Sequence, residues 1–114
     1  MRLGSAGRWT MIGTEFLQGL RERLRVAYGR RFQGLVLCGS EARGEAAPDS
    51  DVDVLVLLDG PACTWGDYRA ASEAVYPLML ELGRPIDAIP VDLASYEKGQ
   101  APLYQNAQRE GVRL

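Results

Sequence analysis

Two aspartates separated by one residue stand at the start of an apolar run, and this pattern constrains the fold more than any other in the chain. The pair is Asp51 and Asp53, and the apolar run is Val54 to Leu58. In a β-strand, residues i and i+2 project from the same face, so both carboxylates would lie together. Carboxylates so placed repel each other unless a cation lies between them, and Mg²⁺ prefers such oxygen ligands. The pattern predicts a metal-binding strand end.

A glycine-serine turn precedes the aspartates. Gly39-Ser40 follows the apolar run Gly34 to Cys38, and ten residues separate it from Asp51. Glycine lets a backbone approach a phosphate closely, and exposed backbone N–H groups with a serine hydroxyl bind anions. A phosphate-sized turn beside a magnesium site predicts metal-assisted transfer of a phosphorus-centred group.

Each half of this pattern also has an ordinary structural explanation. Acidic residues are common at strand ends, and Gly-Ser alone is a turn signal. The combination is more specific, because the spacing joins two apolar runs and a later aspartate, Asp87, lies in a third, Pro85 to Val91. We therefore interpret the residues as one functional site.

The motif Gly39-Ser40, ten residues, Asp51-Val52-Asp53 resembles the nucleotidyltransferase signature of the DNA polymerase β superfamily. Arg43-Gly44 and Ser50-Asp51 resemble its small prokaryotic branch, the minimal nucleotidyltransferase (MNT) domains. In that family a later strand supplies a third carboxylate, and the resemblance assigns this role to Asp87. It implies Asp51, Asp53 and Asp87 as catalytic and metal-binding residues.

The resemblance also implies a substrate and cofactors. Two Mg²⁺ ions, roughly 3.5 to 4 Å apart, would serve as cofactors and ATP as the substrate. Gly39, Ser40 and Arg43 would bind the nucleotide. An acceptor hydroxyl would attack the α-phosphate, Asp87 would help to deprotonate that hydroxyl, and pyrophosphate would leave.

The small size of the chain constrains the acceptor, because we expect a single domain in 114 residues and no second one to hold an acceptor. In MNT families the partner is typically a HEPN-type RNase toxin, and the MNT chain acts as its antitoxin by adenylylating a tyrosine. The resemblance thus implies a hetero-oligomer. Two alternatives stay open: AMP transfer to a small molecule such as an aminoglycoside, and a non-catalytic module that binds a partner.

Composition excludes other classes of function. The net charge of −2 argues against nonspecific nucleic-acid binding, which depends on a basic surface. The absence of histidine argues against zinc sites and histidine acid–base catalysis. Two cysteines give no disulfide framework. No apolar run is long enough to span a bilayer and no signal peptide is evident, so we expect a cytoplasmic protein without membrane contact.

The predicted organisation is an extension over residues 1–13 and a single domain over 14–114. Its α/β fold would be a small mixed sheet of three or four strands with helices packed mainly on one face. The predicted helices are Thr14 to Tyr28 with Thr14 as N-cap, a short one from Glu41, Gly66 to Leu82 with a kink or split at Pro77, Ala94 to Lys98, and Pro102 to Arg109. The predicted strands are Phe32 to Cys38, Val52 to Leu58, Pro85 to Val91 and a small edge strand from Val112 to Leu114.

Three residue assignments have competing explanations. Asp92 competes with Asp87 as third carboxylate, but its position before Ala94 is better explained as a helix N-cap. Arg43 could bind phosphate or pair with a structural acid. Tyr68 and Tyr76 fit core packing at helical spacing better than a base-stacking platform, while the role of Trp65 stays open.

Overall fold

The computed structural model describes residues 13–42, 50–61 and 64–114, with only the backbone of Ser40 and Glu41. The assignment of Arg43 and most of the predicted extension over residues 1–13 lie outside these residues. The helices are α1 (Thr14–Tyr28), α2 (Gly39–Ala42), α3 (Trp65–Leu82), α4 (Leu93–Glu97) and α5 (Pro102–Glu110). The strands are β1 (Phe32–Cys38), β2 (Val52–Leu58), β3 (Ile86–Asp92) and β4 (Val112–Arg113).

Helix α1 has the predicted bounds. Its buried residues, Leu17, Leu20, Leu24 and Tyr28, recur every three or four positions, as an amphipathic helix requires. Gly29 ends it with a φ of +61°, a backbone conformation that glycine adopts readily. Two details of the prediction are wrong. Thr14 is itself the first helical residue, so Gly13 holds the N-cap position. The helical spacing also predicts Ala27 on the apolar face, but its side chain is exposed.

The four strands form one mixed sheet in the order β3-β2-β1-β4. β1 pairs antiparallel with β2 and with β4, whereas β2 and β3 are parallel. Parallel strands need a crossover connection, and α3 supplies it. The prediction of a small mixed α/β sheet is therefore confirmed, including the edge strand at the C-terminal end.

Helices cover both faces of this sheet. The two long helices, α1 and α3, pack on one face against alternate strand residues, which include Leu35, Leu37, Val54 and Val56. The short helices α4 and α5 cover the other face, where Tyr96 and Ala107 meet a smaller cluster. Because strand residues alternate between the faces, neighbouring positions enter different clusters.

Helix α3 departs from its predicted form. It runs without interruption through Pro77, so the expected split is wrong, because the lost N–H of one exposed proline is outweighed by the apolar residues that the helix buries on both sides. The predicted core positions of Tyr68 and Tyr76 are also wrong, since both side chains are exposed. The same helical spacing predicts Ala71 and Val75 on the core side, and both are buried there.

Smaller corrections concern element ends. Helix α2 begins at Gly39, two residues before the predicted start, and β3 begins and ends one residue later than predicted. Within the described part of the chain, no helix is both long and apolar enough to cross a membrane.

Candidate active site

Neighbouring strands place two of the predicted aspartates side by side. Asp53 on β2 is in register with Asp87 on the parallel strand β3, and on its other side it is paired with Cys38 at the end of β1. Side chains at paired positions lie on the same face. That face is the one covered by α4 and α5, because Leu55 and Leu57, which share the alternation of Asp53, pack there.

Asp51 lies one residue before the start of β2 and is exposed. Its place in the sequence gives it the same alternation as Asp53. Within residues 13–42, 50–61 and 64–114, however, no group of three or more acidic or cysteine side chains lies close enough to hold a metal ion. The structure therefore brings Asp53 and Asp87 together and leaves Asp51 beside them.

The electrostatics of Asp53 indicate a site that a cation would stabilise. Partial burial raises the pKa of its carboxyl group, and the nearby charges of Asp87 and Asp51 raise it further. Each cause disfavours the ionised form unless positive charge is supplied. Hard carboxylate oxygens on adjacent strands fit a divalent ion such as Mg²⁺, and Asp53 and Asp87 are the residues that would hold it.

Gly39, the first residue of the glycine-serine turn, lies close to the Asp53 carboxylate. Its φ of +67° is a conformation that side-chain-bearing residues rarely adopt, and a Cβ at this position would lie 2.9 Å from Oδ2 of Asp53. That distance is shorter than real Cβ contacts allow. The turn backbone therefore packs directly against the Asp53 carboxylate, and a side chain at position 39 would displace that carboxylate.

The remaining predicted nucleotide-binding residues are less completely placed. The backbone of Ser40 continues from Gly39 into α2. Arg43 lies outside the described residues, so its assignment stays a prediction. Asp92 lies at the other end of β3 from Asp87, where it accepts hydrogen bonds from the Ala94 N–H and the Ser95 hydroxyl, both at 3.2 Å. The prediction that Asp92 is an N-cap is confirmed.

Arg84 connects the starts of β2 and β3 next to the site, a role that the sequence did not predict. Its buried guanidinium donates from Nε to the Ser50 carbonyl oxygen at 2.8 Å and from Nη2 to the Ser50 hydroxyl at 3.0 Å. The next residue, Pro85, accepts a hydrogen bond from the Val52 N–H at 2.8 Å. These bonds fix the start of β2 against the start of β3. Nothing in the sequence distinguishes Arg84 from the other eleven arginines.

A small cavity of about 200 Å³ adjoins the site, between the end of β1 and helix α5. Cys38 and Gly39 line one side of it, and Asn106 and Glu110 line the other. Burial, followed by the charge of Asp53, raises the pKa of the Cys38 thiol to about 11. Because the thiolate is the reactive form, this raised pKa disfavours Cys38 as a nucleophile at neutral pH.

Comparison with known families agrees with the geometry of the site. The model of a family described as nucleotidyltransferase domain matches residues 17–113, which is more than half of the chain. No curated protein matches it. The matched region contains Gly39, Asp51, Asp53 and Asp87.

Proposed function

Because the chain belongs to the nucleotidyltransferase domain family, we propose that it transfers AMP from ATP to a hydroxyl group on a partner protein. The partner we propose is an RNase toxin of the HEPN class, modified on a tyrosine, so that the chain acts as its antitoxin within a hetero-oligomer. Membership of the family supports nucleotidyl transfer in general. The nucleotide, the acceptor and the antitoxin role are our proposal, and they follow the resemblance to MNT domains.

One observation supports the chemistry most directly. The Asp53 carboxylate lies beside Asp87 on one side and against the Gly39 backbone on the other. A phosphate chain held at the Gly39-Ser40 turn would therefore lie next to two acidic residues. In this arrangement the turn binds the triphosphate, and Asp53 and Asp87 hold Mg²⁺, which when bound neutralises phosphate charge. We propose two such ions and the cytoplasm, where ATP and Mg²⁺ are plentiful, as the location.

The transfer step balances with groups of this chain and its substrates. The acceptor oxygen forms a bond to the α-phosphorus while the bond to the bridging oxygen of the β-phosphate breaks. The acceptor proton passes to Asp87, the more exposed of the two paired carboxylates, and pyrophosphate leaves. Holding the acceptor in line is the task of the partner, since orientation supplies much of the rate in such reactions.

The test is transfer of label from ATP labelled at the α-phosphate. We expect little labelling of the chain alone, and strong labelling of a tyrosine on a HEPN protein co-expressed with it, located by mass spectrometry as one added AMP. Asp53→Asn and Asp87→Asn should each lower the rate by at least about 100-fold, because each removes a carboxylate at the reacting phosphate. The matched control, Asp92→Asn, should keep full activity because asparagine is an equally good N-cap.

Three other results would contradict parts of this proposal. Labelling of an aminoglycoside in place of the partner would make a small molecule the acceptor. A tight complex with no modification would indicate a non-catalytic binding module. Loss of activity in Asp92→Asn, together with activity in Asp87→Asn, would show that the third carboxylate was wrongly assigned.

A further inference from the structure

Helix α3 carries an exposed apolar stripe that neither the core nor the site uses. Its members are Trp65, Tyr68, Tyr76 and Leu80, exposed by 71%, 39%, 55% and 66%. At 3.6 residues per turn, they fall within an arc of about 120° that also contains Ser72 and the exposed Arg69. Trp65 and Tyr68 stack with ring centroids 6.0 Å apart. Exposed aromatic side chains arranged in this way are typical of a protein–protein interface.

The stripe lies next to the outer side of edge strand β3. Trp65 and Tyr68 line an apolar recess with Ile89 and Pro90 of that strand. Because the Val52 N–H bonds to the Pro85 carbonyl, alternate residues from Ile86 to Asp92 direct their backbone groups away from β2. Pro90 is one of these residues. Because it has no N–H to donate, another strand could not pair with this edge of β3 through an unbroken series of backbone hydrogen bonds. A partner would therefore contact the helix face.

We propose that this face binds a second copy of the chain, with the two α3 helices packed antiparallel about a two-fold axis at Ser72. A two-fold interface requires a surface that is complementary to itself. With the axis at Ser72, Tyr68 faces Tyr76 of the other copy, and the large Trp65 lies opposite Met79, next to Leu80. The small serine lies at the crossing point, where two helices approach most closely.

The exposed area is sufficient for such a pair. Whole aromatic side chains have about 150 to 250 Å² of surface, so the four exposed apolar side chains present about 500 Å² per copy. Two copies would bury about 1,000 Å² from these residues alone, which is about the minimum for a biological interface before their flanking residues are added.

The arrangement also leaves the candidate active site accessible. α3 packs on one face of the sheet, whereas Asp53 and Asp87 project from the opposite face. A dimer formed through α3 would carry two sites open to acceptors. The proposal does not depend on the proposed function, because its test measures mass rather than transfer.

Light scattering on the eluate of a size-exclusion column tests the dimer. We expect about 25 kDa, twice the 12.5 kDa of one chain. Tyr76→Glu and Leu80→Arg, which place charge at the interface, should each weaken dimerisation at least about 10-fold. The matched control is Val26→Glu on α1, where valine is similarly exposed at 68%, and it should leave the mass unchanged. Circular dichroism melts would establish that each variant is folded.

Cross-linking tests the position of the axis. In a background of Cys38→Ala and Cys63→Ala, Ser72→Cys should form a disulfide-linked dimer on mild oxidation. Gln18→Cys, on the exposed side of α1, should not.

Wild-type mass of one chain at all concentrations, a dimer that survives both charged variants, or a cross-link at position 18 instead of 72 would overturn the proposal. The proposal would also be overturned if the chain is monomeric alone and binds a different protein, and if Tyr76→Glu abolishes that binding. The stripe would then bind that protein.

Discussion

Gly39 is the residue at which backbone conformation and site chemistry meet. Its positive φ and the 2.9 Å approach of a hypothetical Cβ to Asp53 Oδ2 are independent reasons for glycine. A side chain at this position would lose stability for either reason alone, but only the contact of its Cβ with Asp53 involves a residue of the candidate site. Substitutions can therefore separate the structural role of this glycine from its effect on Asp53.

Gly39→Ala should cost about 1 to 2 kcal/mol of stability from backbone strain and lower transfer by about 100-fold, since the methyl group displaces the Asp53 carboxylate. Chemical denaturation and initial rates would measure the two effects. The matched control is Gly60→Ala, where φ is +85° but nothing lies within 4 Å of the added Cβ. It should lose similar stability and keep its activity. Equal activity in both variants would show that the Gly39–Asp53 contact is not required.

At the scale of elements, two arginines connect segments that are distant in sequence. Arg84 joins the start of β3 to the start of β2 through Ser50. Arg31, in the turn before β1, binds both carboxylate oxygens of Asp67 in the first turn of α3, at 2.8 and 3.1 Å. The Arg84–Ser50 contact supports the candidate site. The Arg31–Asp67 contact fixes α3, the helix that crosses between the parallel strands β2 and β3.

Arg84→Lys should lower stability by about 2 to 3 kcal/mol, because the forked contact with the Ser50 carbonyl and hydroxyl is lost inside the protein. Transfer should fall by about 10-fold as the start of β2 loosens beside Asp51. Denaturant unfolding and kcat measurements check both. Arg69→Lys, at an exposed position on α3, should change neither value. Full activity in a destabilised Arg84→Lys protein would restrict Arg84 to a structural role.

The Arg31–Asp67 pair predicts how stability depends on pH. The Arg31 guanidinium lowers the pKa of the Asp67 carboxyl below its ordinary value, and hydrogen bonds from Thr64 add to this. A lowered pKa in the folded state stabilises the protein above the unfolded pKa, and this stability is lost as pH falls through the folded value. We expect Asp67→Asn to lose about 1 to 2 kcal/mol at pH 7.

Unfolding measured from pH 7 to pH 2 would test this expectation. The difference between wild type and Asp67→Asn should shrink as the pH falls below about 4, where the carboxyl becomes protonated in the unfolded state, and should vanish below the lower pKa of the folded state. A difference that stays constant down to pH 2 would contradict the assignment. Asp92→Asn is the control. In the described contacts the Asp92 carboxylate accepts hydrogen bonds from two neutral donors, the Ala94 N–H and the Ser95 hydroxyl.

At the scale of the whole molecule, the sheet separates the candidate site from the exposed apolar stripe. One face carries the acidic site, and helix α3 on the other carries the apolar stripe. The net charge of −2 adds to the local repulsion that a nucleotide meets at Asp53 and Asp87. Binding of a triphosphate by this protein should therefore depend on a cation.

Calorimetric titration with ATP should show binding in Mg²⁺ that is at least about 10-fold weaker in EDTA, because the carboxylates and the triphosphate then repel without compensation. Asp53→Asn should reduce this dependence on Mg²⁺, and Asp92→Asn should leave it unchanged. Equal affinity in Mg²⁺ and EDTA would exclude a metal-assisted nucleotide site.

The sequence by itself determined the elements and the alignment of the candidate site. Apolar periodicity predicted α1 and the first two strands at their observed bounds, and the spacing of Gly39, Asp53 and Asp87 predicted residues that the strand register does place together. These features depend on local alternation and turn chemistry, which a linear pattern records.

Only the tertiary structure decided which side chains lie under which neighbours. Arg84 became a buried anchor, Asp67 a partner of Arg31, and Tyr68 and Tyr76 an exposed surface because of how β2, β3 and α3 are placed against one another. A helical pattern shows that a residue lies on a given side of a helix, but it does not show whether another element covers that side. The stripe on α3 and the clamp at Ser50 therefore required contacts between residues that are far apart in the chain.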